Sequence, residues 1–139
     1  MAFDGASKVT EIALRTDRDI ARARGRVSEL MKAKGARDIF LTRFVTAVSE
    51  ITRNALTHGG GGRLVIYEFA DGGRIGVECS DTGSGIADIG AALADGFSTR
   101  KGNMGRGLGG AKRLSQEFMI ESTVGKGTIV RMIGVCRSR

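Results

Sequence analysis

Glu50 and Asn54 stand four residues apart in the run Glu50-Ile51-Thr52-Arg53-Asn54. On a helix that spacing stacks a carboxylate and an amide on one face. The pair borders the apolar positions Ala47 and Ile51. A carboxylate there is partly desolvated and positioned to accept a proton. The amide oxygen of Asn54 is a hard, neutral ligand, suited to Mg²⁺ held mainly by phosphates and water. Polar pairs at this spacing are also common on solvated helix faces, so the pair alone leaves that plainer alternative open.

A second carboxylate opens Asp81-Thr82-Gly83-Ser84-Gly85. In the strand before it, Ile75, Val77 and Cys79 share one face, and the two-residue period puts Asp81 there too. A carboxylate continuing an apolar row needs a hydrogen-bond donor, and an adenine amino group is one. Gly83 and Gly85 would let a ligand approach the backbone. The alternative is an aspartate that simply starts a turn before glycine.

The third segment, Gly105-Arg106-Gly107-Leu108-Gly109-Gly110, opens a predicted helix, where free N–H groups favour phosphate. It fits a dinucleotide fingerprint by letter. The context excludes that reading: no strand precedes it, and no acidic residue follows at the ~20-residue spacing. Gly125-Lys126-Gly127-Thr128 is not a Walker loop and reads as a turn. His58, the one histidine, is either a ligand contact or a helix C-terminal residue suited to the dipole. With it and two distant cysteines, Cys79 and Cys136, neither a Ser/His/Asp triad nor a Cys/His metal cluster can be assembled. Both thiols read as reduced.

Regular elements must hold these groups in place. Val9–Arg15 alternates and reads as an edge strand. Asp17 can cap a helix running to about Lys34, stopped by Gly35, with the apolar stripe Ile20, Ala23, Val27, Leu30 and Met31. A second helix is predicted over 38–57, with Leu41, Phe44, Val45, Val48, Ile51 and Leu56 as its buried face. Gly59–Gly62 break it. A hairpin follows, 63–70 and 74–81, around Asp71-Gly72-Gly73. Residues 82–104 hold a short helical piece at 89–94, and 86–104 read as a lid that orders on nucleotide. A third helix is expected over 108–118, then a closing hairpin of 119–124 and 128–135. The order is βααββ, long loop, αββ. It predicts an α+β fold: a two-layer sandwich with a mixed, mostly antiparallel sheet and helices on one face.

At 139 residues the chain reads as one domain, 1–139. Its net charge of +7 is uneven: +3 over residues 1–40, −3 over 41–99 and +7 over 100–139. The basic C-terminal part attracts a polyanion or forms a solvated face. Aromatic content of 5% without tryptophan leaves few stacking platforms, which argues against nucleic acid. The sequence contains neither a signal peptide nor an apolar run of the ~20 residues that span a membrane, so a cytoplasmic protein is expected.

Together the three segments resemble the GHKL superfamily of ATPases, with its Bergerat nucleotide-binding fold. Glu50–Asn54 is similar to the N box, Asp81–Gly85 to the first glycine box and Gly105–Gly109 to the second. Thr128 matches the threonine after a glycine in the last hairpin. The run Asp95-Gly96-Phe97-Ser98-Thr99 and the stretch from Gly105 to Leu114 further resemble bacterial switch kinases of the RsbT type.

This resemblance implies a serine/threonine kinase using ATP and Mg²⁺. Its substrate would be a STAS-domain partner, and it would activate a phosphatase of a sigma-factor cascade after phosphorylation. Glu50 would be the general base and Asn54 the Mg²⁺ ligand. Asp81 would read the adenine amine, with Thr128 supporting through water. Gly105, Gly107 and Gly109 would wrap the phosphates, and Gly83, Gly85, Ile86 and Leu108 would line the nucleotide site. Arg100 and Lys101 are candidates, on chemical grounds, for neutralising the γ-phosphate. Arg106 adds a charge inside the loop without an assigned role. Two alternatives stay open: an anti-sigma factor of the same fold that holds a sigma factor, and a binding module without turnover.

Overall fold

Alternation along the strands sets the sheet. Ile75, Val77 and Cys79 fall on one face of a strand, β3 (Arg74–Asp81). In register with them stand Leu64 and Ile66 of β2 (Gly62–Phe69), and Val130 and Met132 of β5 (Gly127–Val135). All seven are buried, at 5% exposure or less. The computed structural model describes residues 3–94 and 107–136, and there the elements are β1 (Ala6–Leu14), α1 (Asp17–Ala33), α2 (Asp38–Thr57), β2, β3, α3 (Ile89–Leu93), α4 (Leu108–Arg113), β4 (Glu117–Thr123) and β5. The five strands lie in the order β1-β2-β3-β5-β4. Each of the four described pairings is antiparallel, so the sheet is not mixed there as expected. β1 is an edge strand, as its alternation predicts, although it starts at Ala6 and is irregular between Lys8 and Thr10. The α+β architecture itself is the expected one.

The apolar face of the sheet is covered by helices. The predicted stripe of α1, Ile20 to Met31, is its buried set. The cap differs from expectation. Thr16, not Asp17, is the N-cap, and the Asp19 carboxylate accepts from the Arg15 and Thr16 N–H groups at 2.9 and 3.1 Å. Those two backbone bonds hold the Asp19 pKa below its usual value.

The span of α2 matches the prediction, but its buried side is rotated. Phe44, Ala47, Val48, Ile51, Thr52 and Ala55 are buried, whereas Leu41, Val45 and Leu56 are only partly covered. The helix packs against the sheet, α1 and α4 together, and small residues permit that close approach. Buried Thr52 is satisfied by donating to the Val48 carbonyl at 2.7 Å.

The third predicted helix is cut short. α4 ends at Arg113, and residues expected to continue it belong to β4. Leu114 and Phe118 suit a helical stripe, but Phe118, Ile120 and Ser122 also alternate, facing Met132, Val130 and Thr128 of β5. Sheet pairing prevails: the Gln116 N–H bonds the Ile133 carbonyl at 2.7 Å. Gly109 and Gly110 give the helix little propensity to resist. On the other sheet face Arg131 bridges Glu78 at 2.7 Å and Glu121 at 3.0 Å. No helix among the described residues is long and apolar enough to cross a membrane.

Candidate nucleotide-binding site

The central helix carries Glu50 to the start of α4. Gly107 is the N-cap of α4 and has φ +73°. A Cβ built on it would fall on Glu50 Oε1, and 2.9 Å from the carboxyl carbon. The left-handed backbone favours glycine here, and any side chain at this position would push the Glu50 carboxylate aside. The next residue, Leu108, is buried at 2% exposure and fixes this junction in the core. Gly109 is buried within α4. Because α4 has only six residues, its dipole contributes less than the longer predicted helix would.

One turn after Glu50, Asn54 lines a small cavity of about 20 Å³ with Ile51, Ala55, Cys79, Asp81, Ile86, Leu108, Thr128 and Val130. Four elements thus converge, and Asn54, Asp81, Ile86, Leu108 and Thr128 are brought together as the sequence predicts. Asp81 ends β3 directly opposite Thr128 of β5. One Asp81 oxygen accepts the Gly83 N–H at 2.9 Å. The turn-forming alternative is thus realised, and it uses a single oxygen of the carboxylate.

Gly83 and Gly85 have a task the sequence reading did not give them. A Cβ at Gly83 would lie 2.5 Å from the Gly59 Cα, and one at Gly85 3.0 Å from the Val124 Cα. They admit the end of α2 and the β4–β5 hairpin to the loop, whatever they do for a ligand. Gly59 is constrained likewise, since its Cβ would fall 2.6 Å from Asp81 Cβ. His58 is the C-cap of α2, in keeping with its plainer reading.

Ser122 was missed by the motifs. Its hydroxyl lies 2.8 Å from Thr128 Oγ1, accepts the Ile86 N–H at 2.8 Å and reaches the Gly127 carbonyl at 3.1 Å. Its parity with Phe118 and Ile120 was the signal that could have found it. Cys79 lies beneath the cavity and approaches the Ile51 carbonyl at 3.6 Å. Burial pushes its thiol pKa well up, with smaller contributions from the Asp81 and Glu78 charges.

A larger crevice of about 770 Å³ opens at the strand ends, along Gly59–Arg63, Ser80–Thr82 and Lys126–Ile129. It shares Asp81 and Thr128 with the small cavity but includes neither Glu50 nor Asn54. The larger crevice and the predicted residues therefore point to different places, which overlap at Asp81 and Thr128. The predicted Arg100, Lys101, Gly105 and Arg106, and the Asp95–Thr99 run, lie outside the described residues.

A family model described as the histidine kinase-like ATPase domain matches residues 13–134. The chain belongs to that family. The resemblance to GHKL ATPases read from the three motifs is thereby upheld. Among individual relatives, the serine/threonine-protein kinase RsbT of Bacillus subtilis (strain 168) is 38% identical over 124 residues, covering 88% of this chain and 92% of that protein. An anti-sigma F factor of Thermoanaerobacter sp. (strain X514) is 40% identical over 92 residues, covering 63% and 64%. That of Caldanaerobacter subterraneus subsp. tengcongensis is 37% identical over the same length.

Proposed function

We propose that the protein is an ATP- and Mg²⁺-dependent serine/threonine kinase of the RsbT type, acting in the cytoplasm. Its substrate would be a STAS-domain antagonist of a sigma-factor partner-switching pathway, and it would go on to activate a phosphatase. The observation that carries this is the Glu50 carboxylate held against Gly107, one turn from Asn54. It is supported by similarity to RsbT across most of both chains.

The residues fit an adenine in kind. Asp81 would offer an oxygen to the exocyclic amine directly and Thr128 one through water, and Ile51, Ala55, Ile86, Leu108 and Val130 offer apolar walls. With about 20 Å³ between them, a purine would enter by displacing the Ile86 side chain, which stands outside the sheet on the loop after β3. Asn54 would hold Mg²⁺ through its amide oxygen. The ion so held would supply charge neutralisation along the phosphates. Gly107, and Gly105 and Gly109 beside it in sequence, would leave backbone free to approach those phosphates, and Arg100 and Lys101 would neutralise the γ-phosphate.

Glu50 would take the proton of the partner's serine or threonine hydroxyl. The hydroxyl oxygen then bonds the γ-phosphorus as the bond to the β–γ bridging oxygen breaks, and ADP leaves. Incubation with labelled ATP, Mg²⁺ and candidate STAS proteins tests this: a phosphoprotein is expected, and its absence with every candidate counts against the reading.

The anti-sigma F relatives favour one other reading, in which the chain holds a sigma factor directly. Capture of a purified sigma factor without a STAS protein would favour it.

A further inference from the structure

Ser122 makes three contacts with one proton. Its hydroxyl oxygen accepts the Ile86 N–H at 2.8 Å, lies 3.1 Å from the Gly127 carbonyl, and lies 2.8 Å from Thr128 Oγ1. A carbonyl can only accept, so the Gly127 contact takes the Ser122 proton. The contact with Thr128 is then made by the Thr128 hydroxyl donating to Ser122. This is the one proton arrangement that satisfies all three contacts. It spends the Thr128 proton on Ser122, which lines the larger crevice and not the small cavity, and leaves Thr128 with lone pairs alone for a ligand in that cavity. Across the β3–β5 pair stands Asp81, whose ionised carboxylate also only accepts.

We infer that Ser122 is a positioning residue that fixes Thr128 as an acceptor, so that the pocket selects an amino-purine and rejects an oxo-purine. The inference rests on the adenine placement proposed above and adds the origin of its base specificity. An amine meets two acceptors at this wall. A 6-oxo group meets the same two with no proton of its own, and the single N1–H beside it can serve only one of them, so the other is left with lone pairs facing the carbonyl. Without Ser122 the Thr128 hydroxyl turns and donates to the carbonyl.

The test is equilibrium binding of ATP and inosine triphosphate, in Mg²⁺, to wild type, Ser122→Ala, Thr128→Val and the double variant. The affinity ratio of the two nucleotides on one preparation does not depend on the folded fraction. Ser122→Ala should narrow the preference for ATP by about three- to tenfold, the range of one hydrogen bond gained or lost. In the Thr128→Val background Ser122→Ala should leave the ratio unchanged.

A ratio shift of equal size in that background overturns the route through Thr128. It would indicate instead a disturbance spread from the orphaned Ile86 N–H. An unchanged ratio in Ser122→Ala, with ATP affinity still weakened by Asp81→Asn, overturns the role of Ser122 alone. Wild-type ATP affinity in Asp81→Asn overturns the adenine placement, and this inference with it.

Discussion

The Glu50 carboxylate and Gly107 touch with no room for a methyl group between them. The contact joins the central helix to the glycine loop, and it makes Gly107 a determinant of where the carboxylate points.

Gly107→Ala should therefore harm chemistry more than stability. The left-handed φ of +73° costs an L residue about 1–2 kcal/mol. The new methyl also displaces the Glu50 carboxylate. Gly125→Ala is the matched control, with φ +83° and nothing within 4 Å of its Cβ. Both variants should lose similar stability in thermal melts. Phosphorylation of the partner should fall at least about tenfold in Gly107→Ala alone, as expected when a proton acceptor is misplaced. Equal activities would detach the Glu50–Gly107 contact from the reaction.

Asp81→Asn tests the adenine placement. An asparagine keeps an oxygen for the Gly83 N–H, now 2.9 Å from Asp81, so the turn and the fold should survive. What is lost is a charged acceptor for the amine, on the order of 1.5–3 kcal/mol. Calorimetry should show ATP affinity weakened by about ten- to a hundredfold. Wild-type affinity in a folded variant would put the adenine elsewhere.

Parity and spacing made much of this fold legible. The stripe from Ile20 to Met31 is the buried side of α1, and the row Ile75, Val77, Cys79 carries Asp81 to the cavity. What stayed hidden depends on contacts between distant residues. Nothing local to Gly107 says that Glu50 lies against it, and nothing local to Gly83 says that Gly59 does. Ser122 was not singled out because its partners, Ile86 and Thr128, come from two other segments. The α4–β4 boundary was missed because Leu114 and Phe118 satisfy both periods, and only the partner strand β5 decides between them.

The two thiols should be silent in the native protein. Cys79 and Cys136 are both buried thiols outside any disulfide. Neither should react with a thiol reagent until the chain unfolds, and both should react in denaturant. The Cys79 pKa is raised in the folded state by burial first and by the nearby acidic groups second. The folded protein thus keeps a proton that the unfolded chain loses above its ordinary value of 9.0. Stability is unaffected by this group below that pH and declines as pH rises past it. In Cys79→Ala that part of the alkaline decline should disappear from denaturation curves. A decline of unchanged steepness would assign it to other groups.

Glu50→Gln separates chemistry from binding. The amide keeps the shape and fits beside Gly107, but it cannot take a proton. Glu50 is outside the cavity lining that includes Asp81 and Thr128, so nucleotide affinity should change little. General-base catalysis is typically worth ~10²–10⁴-fold, and partner phosphorylation should fall within that range. Asn54→Ala differs in kind. Asn54 does line the cavity and is the proposed Mg²⁺ ligand, so both nucleotide affinity and transfer should suffer. Raising Mg²⁺ should partly restore binding in Asn54→Ala and do nothing for Glu50→Gln. Single-turnover phosphorylation together with ATP binding across a Mg²⁺ series reads both. Wild-type transfer in Glu50→Gln would remove the carboxylate from the mechanism and leave α2 as part of a nucleotide-dependent binding surface.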